Sequence, residues 1–383
     1  MKVYIVGGVR TPIGRANGLL KNFLPEQLAA QVFNEILERH QLRPQHIDQV
    51  LLGNAVGPGG NIARVSVLAA GWPYSIPGIT VDCQCGSGLS AIQLAVGQIG
   101  AGQAELVLAG GVESTSMAPR RQFNPNDPRF QGEAGYYESA PFSTPEVGDP
   151  GIGEAAENLA EKFNISREAM DEWALASHQK AFSAQQQGLL RDMILPIKAK
   201  DQTISEDECI RKSMNRALLK RLTPAFVPGG RITAGNSCLK HDGAAVLLLA
   251  SAQAVEKYKL RPVALVHQTA SCGCDPNLFP LGPVYAIRKL MAESNLTMDN
   301  IDALEINEAF AVKILACCRE LEFSLEKTNR LGGALAYGHP YGASGAIILL
   351  HLLKALEKAQ GKLGIASIGA VGGMGSAVLI ERC

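Results

Sequence analysis

The sequence predicts an α/β fold with a mostly parallel sheet. Three observations carry this. Apolar strand-like runs alternate with segments of helical spacing. Two distant stretches echo each other. One stretch rich in Pro, Gly and Asn interrupts the rhythm.

In order, "KVYIVGG" reads as a strand and "LPEQLAAQVFNEILERH" as a helix. "IDQVLLGNAV" is a strand leaving a loop, and "GNIARVSVLAAGW" a short helix. "GITVDCQ" is a strand, "GSGLSAIQLAVGQIGAG" a helix and "AELVLAGGVES" a buried strand. After Pro119 the pattern changes: residues 119–153 have few periodic apolar positions. A long amphipathic helix follows, with Ser166 as its N-cap and its end near Gly188. This middle region is expected to be an insertion, and the α/β rhythm resumes at "GAAVLLLASA". "LRPQHIDQVLLGNAV" (42–56) is matched by "LTMDNIDALEINEAF" (296–310), and "CGSGLSAI" by "YGASGAII". Duplication of an α/β half explains both echoes, although βα units in general resemble one another.

The 383 residues suit two or three domains, and a hydrophobic content of 46% is ample for large cores. Lys+Arg and Asp+Glu both total 36, so no net field points to nucleic acid or a membrane surface. "MKVYIVGGVRTPIG" lacks the apolar core of an export signal, and "GAAVLLLASA" is too short to span a bilayer. Nine cysteines, an odd count without scaffold rhythm, then read as reduced thiols of a cytoplasmic protein.

Cys85 falls where a strand ends and a helix begins, at the sheet edge where open α/β folds place ligands. The free N–H groups of that helix are expected to favour the thiolate. Gly86 and Gly88 are expected to allow a tight turn and close substrate approach. A small buried cysteine beside a Gly-packed helix is the plain alternative. Gly86, Gly88 and Ala91 also spell a dinucleotide fingerprint, but Glu105 precedes its strand where a ribose-binding acid should follow one. The pairs Cys83/Cys85 and Cys272/Cys274 have the wrong spacing for a zinc knuckle, so no metal is expected.

A thiol nucleophile needs a base. His178 lies in the amphipathic helix and is expected to be solvated, and His351 sits in an apolar helix as a core residue. His40 and His46 flank a helix–strand connection, and His241 and His267 lie near strand ends with no flanking signature. His339, in "GGALAYGHPYGASGA", projects from a Gly-flanked loop stiffened by Pro340 at the start of a helix. In "INEAF", Asn307 can hold a water or carbonyl, and Glu308 suits a buried structural role. "GAVGGMGSA" (369–377) offers backbone N–H groups to an oxyanion.

Together these segments resemble the thiolase family. "CGSGLSAI", "LVLAGGVES", "INEAF", "GGALAYGHPYGASG" and "GGMG" fall in thiolase order and spacing. "VRTPIG", "GNIAR", "TAGNSCLKHDGAAVLLL" and "GPVYAIRKL" extend the likeness over nearly the whole chain. The resemblance implies two βαβαβαββ halves with five-stranded mixed sheets in a layered core, plus an inserted loop domain. Residues 1–117 and 239–258 would form one half, 118–238 the loop domain and 259–383 the other half. It implies acyl-CoA chemistry through an acyl-Cys85 intermediate, with His339 taking the thiol proton. Asn307 would position a water in the oxyanion hole. Coenzyme A would serve as substrate and product, with no cofactor. Arg211 would lie near its nucleotide end, with Phe226, Ala234, Cys238 and Phe310 along the pantetheine channel. "IRKSMNRALLKR" would add local positive charge. The partner would be a second copy, in a homodimer or homotetramer.

One departure stands out. Thiolases carry a second cysteine in C-x-G-G-G-[MQ]-G, which moves the proton at the enolate carbon. Counting back from "GGMG", that position is Gly369, and Val371 replaces a loop glycine. Cys238 stands where many members have serine, and Gly151–Ile152 replaces the usual His-Met. The acyl-transfer groups are therefore expected to be complete and the carbon acid/base missing.

Overall fold

A computed structural model describes every residue except 134, 138 and 201. The first half contributes β1 (Val3–Arg10), α1 (Pro25–Arg39), β2 (Gln49–Gly53), α2 (Ile62–Ala69), β3 (Gly78–Val81), α3 (Ser87–Gly100), β4 (Leu106–Ser114) and β5 (His241–Ser251). Between β4 and β5 runs the insertion, with α4 (Ile152–Lys162) and α5 (Arg167–Gln186). The second half contributes β6 (Ala264–Gly273), α6 (Gly282–Ser294), β7 (Ala303–Ile306), α7 (Ala311–Glu320), α8 (Tyr341–Ala359), β8 (Leu363–Ala370) and β9 (Met374–Arg382).

The duplication is visible in the pairing. The first half orders its strands β1-β5-β4-β2-β3, and the second repeats this as β6-β9-β8-β7. In both, the outer pairings are parallel and the inner ones antiparallel. The counterpart of β3 is reduced to one parallel bridge, Leu304 to Thr328. β1 and β6 pair antiparallel from Val3–Val266 to Ile5–Ala264, which joins the halves into one ten-stranded mixed sheet, a short Gly14–Arg15 segment on β5 included. The echo between residues 42–56 and 296–310 is structural: each has a short 3-10 turn (Pro44–His46, Met298–Asn300) leading into β2 or β7.

Period-two alternation explains the layering. Ala245, Leu247 and Leu249 of β5 and Ala366 and Ile368 of β8 face a central core shared with α3 and α8. Val246, Leu248 and Ala250 of β5 face α1 and α2 on the outside, whereas Ile365 of β8 and Leu379 of β9 face α6 and α7. Strands buried on both faces are apolar over most of their length, as β5 is from Gly243 to Ala250. Each such Leu or Ile contributes roughly 1.5–3 kcal/mol of burial.

Ser166 caps α5 by accepting the Ala169 N–H at 3.2 Å. α5 is tied to the second half through Glu308. That buried carboxyl accepts from Trp173 Nε1 (3.0 Å), Ser177 Oγ (2.7 Å) and Asn329 Nδ2 (2.8 Å). "GITVDCQ" is shorter as a strand than its composition suggests. β3 ends at Val81, and Cys83–Cys85 forms a tight turn with Gln84 at φ 53°.

Candidate active site

The first turns of α3 and α8 abut backbone to backbone. A Cβ on Gly88 would lie 2.4 Å from the Gly342 carbonyl oxygen, and one on Gly345 would lie 2.2 Å from the Leu89 nitrogen. Gly53 and Gly111 crowd the same carbonyl. Gly88 therefore makes room for the other helix, which corrects the role assigned to it from the turn. Gly86, at φ −78°, needs no special freedom either. Because the helix starts meet, the loops just before them, bearing Cys85 and His339, stand side by side. The β8–β9 hairpin closes on the same place, with Ala370 Cβ 3.7 Å from a Cβ built on Gly86.

Cys85 is partly exposed. Burial of its surroundings pushes the thiol up to about 11, with Lys313 pulling it down and Glu113 pushing it up. This is opposite in direction to the thiolate expected from the helix terminus alone. The reason is desolvation, which disfavours the thiolate by more than Lys313 and the local backbone favour it; the N–H groups of Gly86 and Ser87 turn back to the carbonyls of Cys83 and Gln84, both at 3.0 Å. Cys85 rests as a thiol and needs a base.

His339 is buried. Asn307 Nδ2 donates to its Nε2 at 3.3 Å, so the neutral ring carries its proton on Nδ1, which donates to Ser344 Oγ at 2.5 Å. Burial holds the imidazole well below its usual range, and the charge of Lys313 acts the same way. The ring is thus a neutral base with a lone pair on Nε2. The backbone N–H of His339 donates to His241 Nδ1 at 3.0 Å. Gly338, at φ 117°, is what lets His241 lie there, since a Cβ would sit 2.5 Å from that ring.

Three positioning residues escaped the sequence reading. His241 and Ser344 hold His339 from two sides. Glu113 accepts the N–H groups of Ala55 (2.9 Å), Val56 (3.1 Å) and Gly342 (3.1 Å), clamping α8 to the β2 loop. Burial raises its carboxyl to about 7. A lone acid inside "LVLAGGVES" was the available signal.

The other expected residues are spread over the insertion and its edge. Arg211 is exposed. Phe226 is exposed too, and its ring stands edge-on to buried Phe310 at 6.0 Å. Gly153 underlies Phe226, whose ring a Cβ would overlap at 2.0 Å. Ala234 is exposed and Cys238 half-buried. The Cys238 N–H donates to the Ala309 carbonyl at 2.9 Å, which places it beside the Asn307 loop, and burial pushes its thiol up to about 12. His178 is buried rather than solvated: its Nδ1 accepts the Arg211 N–H at 3.1 Å. His351 is a core residue as expected, but both ring nitrogens lack a hydrogen-bond partner among the described residues. At Gly369 a Cβ would lie 2.9 Å from Pro283 Cδ and 3.0 Å from the Phe279 carbonyl oxygen. No helix among the described residues is long and apolar enough to cross a membrane.

The thiolase N-terminal domain family matches residues 3–253, and the thiolase C-terminal domain family matches residues 260–382. VraB of Staphylococcus aureus (strain MRSA252), named for a proposed acetyl-CoA C-acetyltransferase activity, is 41% identical over 378 residues, 99% of this chain and 98% of its own. YhfS of Bacillus subtilis (strain 168), named in the same way, is 41% identical over 384 residues, covering 100% and 99%. The crystal structure of the Bacillus anthracis acetyl-CoA acetyltransferase superposes with a TM-score of 0.94 at 38% identity, covering 100% and 99%. Human mitochondrial 3-ketoacyl-CoA thiolase in complex with CoA gives 0.93 at 35%, covering 100% and 98%. With both domain families matched along the chain and the paired α/β halves in place, the protein belongs to the thiolase family.

Proposed function

We propose that this protein is a thiolase-type acyltransferase that carries an acyl group from acyl-CoA on Cys85. The nominal reaction is acetyl-CoA C-acetyltransfer, as acetoacetyl-CoA synthesis or 3-ketoacyl-CoA thiolysis. The observation that supports this reading is the abutment of α3 and α8, since the loops just before these helix starts bear Cys85 and His339. His339 Nε2 takes the Cys85 proton as the sulfur attacks the thioester carbonyl, then returns it to the departing coenzyme A sulfur. While protonated, Nε2–H and Asn307 Nδ2 are two donors converging on the oxyanion. Ser344 keeps the ring in the tautomer this needs.

Coenzyme A would lie along the insertion, with Phe226, Phe310, Ala234 and Cys238 beside its pantetheine arm and Arg211 near its phosphates. Exposed Lys212, Lys220 and Arg221 in the same segment support a phosphate-facing surface. No cofactor beyond coenzyme A as substrate enters this scheme. The names of the relatives support acetyl-CoA as donor. A homodimer or homotetramer in the cytoplasm fits this reading. Edge strand β3 exposes Ile79, and α2 beside it exposes Val65 and Leu68, an apolar margin that a second copy would cover.

Intact-protein mass after incubation with acetyl-CoA tests the proposal. One acetyl adduct is expected, absent in Cys85→Ser and lowered in rate by about 10²–10⁴ in His339→Ala. An adduct that survives Cys85→Ser overturns it. A second reading is favoured by Gly369, which has no side chain to serve a carbon acid. The acyl group would then pass to water or a non-carbon acceptor, and the adduct would form without acetoacetyl-CoA.

A further inference from the structure

Joining carbon to an acyl-sulfur needs two proton-transfer groups, one for the sulfur and one for the α-carbon of the second acyl-CoA. His339 is engaged with the sulfur. The side-chain groups around Cys85 are few, and one of them has no evident structural reason to be there.

Lys313 lies in the first turn of α7, three residues after Phe310, in the otherwise apolar run "AVKILACC". Its side chain is fully buried. No carboxylate pairs with it among the described residues; its Nζ reaches the carbonyl oxygen of Gly369 at 3.5 Å. Sequestering an ammonium without a counter-charge costs several kcal/mol. A glutamine or methionine would fill the same space without that cost.

The amine faces chemistry from every direction. Its charge acts on Cys317 of its own helix, Cys85 before α3, Cys238 before β5, Cys274 after β6 and the ring of His339. The thiols are poorly suited to abstract a proton: burial pushes Cys274 up to about 11 and Cys238 to about 12. His241 is engaged at Nδ1 by the backbone N–H of His339, its Nε2 has no partner among the described residues, and burial holds its imidazole down to about 4, a weak base. Burial moves Lys313 the useful way, below the ordinary lysine value, so a neutral amine is within reach, although ionised neighbouring thiols would oppose this.

We propose that Lys313 is the catalytic acid/base of the carbon–carbon half-reaction, working beside Gly369 near the end of β8, where a Cβ would be crowded by Pro283 Cδ at 2.9 Å and the Phe279 carbonyl oxygen at 3.0 Å. This rests on the acyl-Cys85 reading. The neutral Nζ takes an α-proton from the second acyl-CoA and becomes an ammonium. The enolate carbon attacks the acyl carbon, the C–C bond forms, and the C–S bond to Cys85 breaks with its electron pair on sulfur. The ammonium proton then returns to the Cys85 thiolate, restoring amine and thiol. In thiolysis the ammonium protonates the leaving enolate carbon.

Proton exchange isolates this group. In Cys85→Ala no acyl-enzyme forms, so deuterium uptake into the acetyl group of acetyl-CoA in D₂O reads the carbon base alone. Exchange is expected in Cys85→Ala and is expected to fall about 10²-fold or more in Cys85→Ala/Lys313→Gln. With Cys85 present, Lys313→Gln is expected to slow acetoacetyl-CoA formation by about tenfold or more beyond any slowing of Cys85 acetylation. Lys313→Met, apolar and close in length, gives the same reading if the glutamine variant folds poorly. Exchange at an equal rate with and without Lys313, no exchange in Cys85→Ala, or equal slowing of both half-reactions overturns the assignment. A wild type that acquires no acetyl on Cys85 overturns the acyl-enzyme reading instead, and the exchange experiment still reports on Lys313.

Discussion

His178 shows how burial sets chemistry one residue at a time. It sits on α5, accepts the Arg211 N–H, and is held to about 4 by desolvation, with the Arg211 charge acting the same way. Folding therefore keeps it neutral where the unfolded chain, near 6.5, would bind a proton. The stability it contributes is complete above about pH 6.5 and is lost as pH falls toward about 4, at roughly 1.4 kcal/mol per pKa unit. Buried Glu113 is raised to about 7 and works in the opposite sense, so a single Tm–pH curve mixes both. The difference between wild type and His178→Gln isolates the histidine. The wild-type advantage in Tm is expected to be full at pH 7 and to shrink steadily toward pH 4. A difference independent of pH would contradict a neutral buried ring.

The decisive element is the meeting of α3 and α8. Both helices are apolar along the faces they bury, and small residues at their starts let the main chains touch. Gly88→Ala would place a methyl group 2.4 Å from the Gly342 carbonyl oxygen, against main-chain atoms of α8 that cannot rotate away. A loss of about 1–3 kcal/mol is expected from overpacking. Because the loops bearing Cys85 and His339 would be displaced, acetylation of Cys85 is expected to fall by about 10²-fold. Gly97→Ala on the same helix is the control. Its new methyl would meet nothing within 4 Å, and helix propensity predicts a gain of about 0.5–1 kcal/mol with acetylation kept. Thermal melts and the adduct rate compare the two. Equal behaviour would mean that the crossing does not align the site.

At the scale of the whole molecule, the two halves are not independent. β1 pairs with β6, α3 packs on α8 in a common core, and Glu308 fastens α5 to the second half. The two tryptophans sit in different cores of this arrangement. Trp72 lies in the outer core of the first half and Trp173 on α5 against Glu308. Urea curves followed by fluorescence in Trp72→Phe and Trp173→Phe are expected to share one midpoint after correction for each variant's stability. Two separated midpoints would show that the insertion and the first half unfold apart.

Much of this was legible without a structure, because it rests on local rules. Period-two and period-3.6 patterns are set by neighbours along the chain, and they located nearly every main element, the Ser166 cap and the repeated half. The loops bearing Cys85 and His339 were legible because glycines and a proline mark sharp turns wherever they occur. Only the tertiary structure decided what lies across a gap. It placed Gly88 against Gly342, buried His178, desolvated Cys85 and brought Lys313 to the Gly369 carbonyl. None of these could be read from neighbouring residues, since desolvation and side-chain contact are set by segments that only folding brings together. Charge and protonation at the site therefore follow from packing, whereas the order of strands and helices follows from the chain itself.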